Sequence, residues 1–319
     1  MVLAAVGQFC ATSSVAANAA IIKQLVHQAS AVGARVLFLP EASDYIASTA
    51  EQSVALAQPV ETSAAIQDGV RAALRELPAG AVRPHVSIGV HEPSDTLSTD
   101  GQKKRLKNTL LWFDPDGQLL HRYQKIHLFD VDISNGPILK ESNSVEPGNK
   151  VLAPFDSPIG KIGAGICYDI RFPELALRQR SLGAEVLLFP SAFTVKTGAA
   201  HWEVLARARA IDTQCYVIMA ALTGVHDPPT GKRQSYGHSI IVDPWGTVLA
   251  QAPDIDTEPR IITADIDLTA LQKGMRKPLH TFVNFYFLIF ANTSLFFFVV
   301  RENMPLWSQR RPDVFGYTV

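Results

Sequence analysis

Short blocks of consecutive apolar residues alternate along this chain with longer stretches in which apolar positions recur every three or four residues. The blocks Val2–Phe9, Val36–Leu39, Val86–Val90, Glu185–Phe189 and Tyr216–Ala220 predict buried strands. The periodic stretches predict four helices. One runs from a cap at Ser13 or Ser14 to about Val32 and another covers Glu61–Leu77; a third ends near Leu182, and the last covers Ala200–Thr213. Two tetrapeptides, Asp114-Pro115-Asp116-Gly117 and Asp243-Pro244-Trp245-Gly246, read as hairpin turns. The first joins Thr109–Phe113 to Gln118–Tyr123, and the second joins Ile240–Val242 to Thr247–Ala250. A long loop to about Gly148 follows the first hairpin, then strands at Val151–Phe155 and Lys161–Ile166. The basic run Lys103-Lys104-Arg105 reads as a solvated loop.

The pattern repeats itself. Gly33-Ala34-Arg35-Val36-Leu37-Phe38-Leu39-Pro40-Glu41 echoes Gly183-Ala184-Glu185-Val186-Leu187-Leu188-Phe189-Pro190-Ser191, and the two hairpin turns echo one another. Helix–strand units combined with antiparallel pairs predict an α/β fold of two sheets packed face to face with helices outside. No linker interrupts the 319 residues, so one domain is expected.

Composition narrows the function. The chain is 47% hydrophobic with a net charge of −1, which supplies ample core and no electrostatic footprint for nucleic acid. Three cysteines, Cys10, Cys167 and Cys215, argue against a disulfide framework and fit a reducing compartment. No Cys-x-x-Cys or His-x-x-x-His spacing suggests a metal site. The N-terminus reads as a first strand, not as a signal or transit peptide, so a cytoplasmic location is expected, with a mitochondrial share left open.

Candidate chemistry centres on Cys167. The Gly-spaced strand Lys161–Ile166 stops at this thiol, and a charged turn leads to Pro173 at a helix start. Such an elbow exposes a nucleophile and aims backbone N–H groups, that of Tyr168 first, at a developing oxyanion. Glu41 ends an apolar strand and suits a general base; an N-cap or ion-pair role is the ordinary alternative. Lys125 stands where a strand meets a loop, and Glu141 lies in the long loop. A glutamate that takes the thiol proton, a thiolate that attacks a carbonyl or nitrile carbon and a lysine at the oxyanion form a coherent set. His127 competes with Glu41 as the base. The Arg171 guanidinium suits a substrate carboxylate or a structural ion pair. Cys10 and Cys215 read as core, His238 as a structural histidine.

Leu39-Pro40-Glu41, Lys125-Ile126-His127 and Gly165-Ile166-Cys167-Tyr168-Asp169-Ile170-Arg171-Phe172-Pro173-Glu174 together resemble the three signature segments of the nitrilase superfamily of carbon–nitrogen hydrolases. Ser191-Ala192-Phe193-Thr194, His201–Ala210 and Ser235-Tyr236-Gly237-His238-Ser239 resemble its deaminated glutathione amidase branch, with the ω-amidase branch close behind. The resemblance implies a four-layer α-β-β-α sandwich that pairs into a homodimer. It implies Glu41 as base, Lys125 as acid and oxyanion stabiliser, Cys167 as nucleophile and Glu141 beside them. Arg171, Phe193 and Thr197 would contact substrate, and His127 would be a structural neighbour. The implied reaction cuts deaminated glutathione into 2-oxoglutarate and cysteinylglycine. The alternatives are an ω-amidase acting on 2-oxoglutaramate or 2-oxosuccinamate, and a silent scaffold or membrane-associated variant. No cofactor is expected; water is the second substrate.

The chain departs from this pattern near its end. About 277–301 is an apolar insertion, and Phe282–Val300 is uncharged over nearly the ~20 residues of a membrane-spanning helix. A mistranslated or misspliced segment, a membrane- or partner-contacting insertion, and a packed extra element are the three readings. Membrane contact is expected only under the second, and all three bear on dimer formation.

Overall fold

A computed structural model of the chain describes residues 1–98, 101, 104–132, 138–226 and 233–268. The insertion at about 277–301 and the tail beyond it lie outside the described residues, as does Lys103. In chain order the first elements are β1 (Val2–Gln8), α1 (Val15–Ala31), β2 (Val36–Phe38), α2 (Ala50–Ala57), α3 (Val60–Arg75), β3 (His85–Leu97), β4 (Lys104–Phe113) and β5 (Leu119–Gln124). Then come β6 (Asp130–Asp132), β7 (Ile138–Lys140), β8 (Ile162–Ala164), α4 (Pro173–Ser181), β9 (Val186–Leu188), α5 (Val195–Thr213) and β10 (Tyr216–Met219). The last are β11 (Thr223–Val225), β12 (Gln234–Tyr236), β13 (Ile240–Val242), β14 (Val248–Gln251) and β15 (Arg260–Ile266).

Two large sheets carry the architecture. One has the order β15-β1-β2-β3-β4-β5, the other β14-β13-β10-β9-β8. Each has a parallel centre, β1-β2-β3 and β8-β9-β10, extended by antiparallel hairpin strands. Side chains alternate between sheet faces, so each sheet contributes to two cores. Ala5, Leu37, Ile88 and Leu111 pack outward under Ile22, Leu25 and Val26 of α1 and Ile66 and Val70 of α3. Their neighbours Ala4, Val36, Phe38, Leu110 and Trp112 face inward, against Ile162, Val186, Leu188, Tyr216 and Ile218 of the second sheet. On that sheet's far side Leu187, Val217 and Met219 lie under Ala176 of α4 and Trp202 and Ala206 of α5. The result is a four-layer α-β-β-α sandwich.

Local chemistry explains most boundaries. Ser14 caps α1 by accepting the Ala17 N–H at 3.3 Å. Both helix-to-strand returns use a left-handed glycine, Gly33 before β2 and Gly183 before β9. In both Asp-Pro-x-Gly turns the first carboxylate accepts two N–H groups: Asp114 from Asp116 and Gln118, Asp243 from Trp245 and Thr247.

Several expectations need correction. Helix α5 starts at Val195, not Ala200, because Thr194 caps it. Gly198 lies within this helix, where a Cβ would lie 2.1 Å from Tyr236 Cγ. Val151–Phe155 is not a strand: Pro154 offers no N–H, and Phe155 alone bridges to Ile162. Strand β3 runs on to Leu97, and Lys104 and Arg105 open β4 instead of belonging to a loop. Helix α2, with Thr49 as cap, was not anticipated, and the long loop contains the β6–β7 hairpin. Cys215 is buried in the core, whereas Cys10 is half-buried. Among the described residues no helix is long and apolar enough to cross a membrane.

Gly89 couples this framework to the chemistry. It pairs β3 with the end of β2 through a 3.0 Å bond from its N–H to the Pro40 carbonyl. A Cβ there would lie 2.5 Å from Glu41 Cα and 2.8 Å from Pro40 O, and backbone atoms cannot swing aside. Gly89→Ala is therefore expected to cost about 1–3 kcal/mol, measured as a lower denaturant midpoint, and to lose activity by displacing Glu41.

Candidate active site

Four chain segments meet at one end of the inter-sheet core. Glu41 follows β2, Lys125 follows β5, Cys167 follows β8, and Glu141 opens a short 3-10 turn after β7. Lys125 is the hub, 2% exposed. Its Nζ donates to Glu41 Oε1 at 2.9 Å and lies 3.0 Å from both Glu141 oxygens. Asn108, in the middle of β4, holds the cluster from two sides. Its carbonyl accepts the Lys125 N–H at 2.9 Å, and its amide donates to Glu41 Oε1 at 2.7 Å and to Glu141 Oε1 at 3.4 Å. The remaining carboxylate oxygens take backbone donors: Ala192 N–H on Glu41 Oε2 at 2.9 Å and Phe129 N–H on Glu141 Oε2 at 2.6 Å.

Cys167 sits at a strained elbow with φ +47°, and Ala42, the residue after Glu41, is also left-handed at +53°. The Cys167 N–H donates to the Pro190 carbonyl at 2.9 Å, tying the elbow to the end of β9. The thiol hydrogen-bonds the Glu41 carboxylate and meets the Ala192 N–H. Burial first, and the Glu41 charge second, push this thiol well above its ordinary range, against the pull of Lys125. Burial alone would raise the Glu41 carboxyl. The Lys125 charge, with hydrogen bonds from Lys125, Cys167 and Asn108, holds it below the usual carboxylate range instead. Burial would likewise strip Lys125 of its proton, but Glu141, Glu41 and Cys167 keep it cationic far past its ordinary value. At neutral pH the site thus holds a carboxylate base against a neutral thiol, with an ammonium beside both.

A second cluster fixes the elbow. The fully buried Asp169 carboxylate accepts from the His127 N–H at 2.9 Å, His127 Nδ1 at 2.7 Å, the Tyr123 hydroxyl at 2.7 Å and the Ile166 N–H at 2.9 Å. It clamps the segment carrying Lys125 to the segment carrying Cys167. His127, the competing base, is engaged by Asp169 and stacked on Phe172 at 3.7 Å, and it does not line the cavity. His238 bonds its own backbone neighbourhood and stacks on Tyr236.

A cavity of about 750 Å³ opens over the thiol. All eight residues singled out from the sequence line it: Glu41, Lys125, Glu141 and Cys167 at its floor, with Tyr168, Arg171, Phe193 and Thr197. Arg171 lies 5.6 Å from the Tyr168 ring centroid and 5.4 Å from that of Phe193, and Phe193 packs edge-on against Trp202. Thr197 sits in the first turn of α5, its hydroxyl 2.9 Å from that of Thr194. Sequence reasoning missed Asn108, Asp169 and Arg233. The signal for Asn108 was an asparagine inside an otherwise strand-forming run; Asp169 lay in view within the cysteine segment.

Two predictions follow from this geometry. Because the Glu41 carboxyl is held below its unfolded value, the contribution of its ion pair to stability is present above about pH 4.3 and fades as pH falls through the lower folded value. Urea midpoints measured from about pH 7 down to about pH 3 should fall over that window, and less so in Glu41→Gln. Asp169→Asn replaces one carboxylate oxygen with a donor, leaving two of the four donors without their acceptor, and is expected to lower kcat roughly tenfold or more, with a smaller change in KM, since ~1.4 kcal/mol of transition-state misalignment is tenfold in rate.

The comparisons agree with the geometry. The family model described as carbon-nitrogen hydrolase matches residues 3–274. A Schizosaccharomyces pombe protein named probable hydrolase nit2 is 49% identical over 269 residues, 84% of this chain and 92% of its own length. The Bos taurus deaminated glutathione amidase is 38% identical over 321 residues, 98% of this chain and 83% of its own. The crystal structure of the C. elegans NitFhit protein superposes with a TM-score of 0.78 at 36% identity, covering 99% of this chain and 66% of that one. The chain therefore belongs to the carbon–nitrogen hydrolase family, the nitrilase superfamily that its three motifs resemble.

Proposed function

We propose that this chain is a cysteine amidase whose substrate is deaminated glutathione, cut to 2-oxoglutarate and cysteinylglycine. The observation that carries the chemistry is the Glu41 carboxylate, bonded at once to the Cys167 thiol, the Lys125 ammonium and the Ala192 N–H. The substrate is supported by relatives of that name at 36–38% identity over 98% of this chain. Glu41 takes the thiol proton as sulfur attacks the amide carbon, so the high-pKa thiol becomes a thiolate only in the reacting complex. The carbonyl electrons move onto oxygen, where Lys125 Nζ and the Tyr168 N–H are the donors at hand. Glu41 returns its proton to the nitrogen, the C–N bond breaks, and cysteinylglycine leaves a thioester on Cys167. Glu41 then deprotonates water, whose attack frees 2-oxoglutarate and reprotonates the sulfur. Glu141 accepts from Lys125 Nζ and from the Phe129 N–H and so holds the ammonium against the site. A cytoplasmic homodimer belongs to the same proposal.

Turnover tests this reading. Purified protein should release cysteinylglycine from deaminated glutathione faster than it releases ammonia from 2-oxoglutaramate. Cys167→Ala should abolish both, and Glu41→Gln should lower kcat/KM by ~10²–10⁴. Glu41→Gln should also slow alkylation of Cys167 by iodoacetamide near neutral pH, a readout that needs no substrate. A folded wild-type sample inert towards both amides would refute the proposal.

A further inference from the structure

Among the described residues, two guanidiniums line the cavity from different walls. Arg171 stands behind the nucleophile, over Tyr168 and Phe193, with both terminal nitrogens 3.3 Å from His201 Nδ1. Arg233 enters just ahead of β12 and is exposed, as a docking group for an incoming anion must be. Its Nη1 donates to the Ala47 carbonyl at 3.2 Å, on the loop that follows Glu41. Among the described residues that bond occupies one of its five N–H donors. Its charge is felt at Glu41, Glu141 and Cys167.

The charges in the cavity define what it can hold. Lys125 with two carboxylates leaves one net negative charge, and the thiol is neutral. That cluster alone repels an anionic substrate; the exposed Lys140 on the lining offsets it, and the two guanidiniums make the cavity net positive. A single carboxylate is satisfied by one bidentate guanidinium, so a second on another wall fits a substrate with two. Deaminated glutathione, on the reading above, has one carboxylate on each side of the scissile amide, in the 2-oxo acid and in the terminal glycine. The leaving nitrogen must receive its proton from Glu41, so the amine half lies on the Glu41 side. Arg233 is bonded to that side.

We infer that Arg233 is a specificity residue: it binds the carboxylate of the departing amine and selects amides that carry a carboxylate on both sides of the cleaved bond. This inference rests on the amidase reading. The test compares kcat/KM of the full-length wild type, Arg233→Ala and Arg233→Lys on deaminated glutathione, its terminal glycinamide analogue and 2-oxoglutaramate. Wild type should prefer the acid over the glycinamide roughly 10–100-fold, the scale of one charge-assisted hydrogen-bonded contact. Arg233→Ala should lose that preference, mainly through KM on the acid, and lose at least ~10-fold more on deaminated glutathione than on 2-oxoglutaramate. Arg233→Lys should recover part of it. Equal losses on all three substrates, or an unchanged preference for the acid, would overturn the inference and leave the amidase reading intact. Wild-type turnover of 2-oxoglutaramate without turnover of deaminated glutathione would overturn both.

Discussion

The constraint on which the rest depends is a buried ammonium. Lys125 is almost sealed from water, and a lone charge in such a place is untenable. Its two carboxylate partners arrive from distant parts of the chain, Glu41 from the end of β2 and Glu141 from the turn after β7. Once they are there, their own desolvation demands donors, and Asn108, Ala192 and Phe129 supply them. Removing any one member strands the others, so the cluster holds together or fails together. The fold is thereby locked at the point where the chemistry occurs. The ammonium also keeps Glu41 ionised beside a thiol that burial keeps protonated.

The internal repeat explains why the site lies where it does. Strands β2 and β9 sit at equivalent places in the two parallel sheet centres and end in Pro40-Glu41 and Pro190-Ser191. Face-to-face packing brings these ends together. Glu41 accepts from Ala192, one residue past the second motif, and Cys167 donates its N–H to Pro190 within it. Each sheet thus supplies one reacting group and a backbone anchor for the other. The turn after Cys167 and the start of α5, which the same packing brings alongside, line the cavity above these ends.

Much of this was legible in the sequence because local rules dominate there. The Gly33 and Gly183 returns, the two Asp-Pro-x-Gly turns and the Cys167 elbow each depend on a few neighbouring residues, and each was readable. What was not readable depended on distant partners. The start of α5 depends on Tyr236, which lies across Gly198 from a distant strand. The length of β3 is set by its pairing with β4, not by its own apolar run. Glu141 reads only as a loop residue because its partner lies sixteen residues away in sequence and three ångströms away in space. Asn108 and Arg233 have no motif of their own. Their roles exist only once three other segments surround them.

The arrangement separates chemistry from selection. The floor of the cavity is densely hydrogen-bonded around Lys125 and, on the amidase reading, acts on any linear amide whose carbonyl reaches the sulfur. Nothing in the Glu41–Lys125–Cys167 geometry reads the ends of the substrate. On the proposal that Arg233 reads the substrate, discrimination comes from the wall, which Arg171 and Arg233 line with Phe193 and Tyr168. A change at the wall alters which anion is held without disturbing the ammonium. A change at the floor disturbs every partner of Lys125 at once. Substrate preference is therefore the part of this enzyme that can vary freely, while the buried cluster cannot.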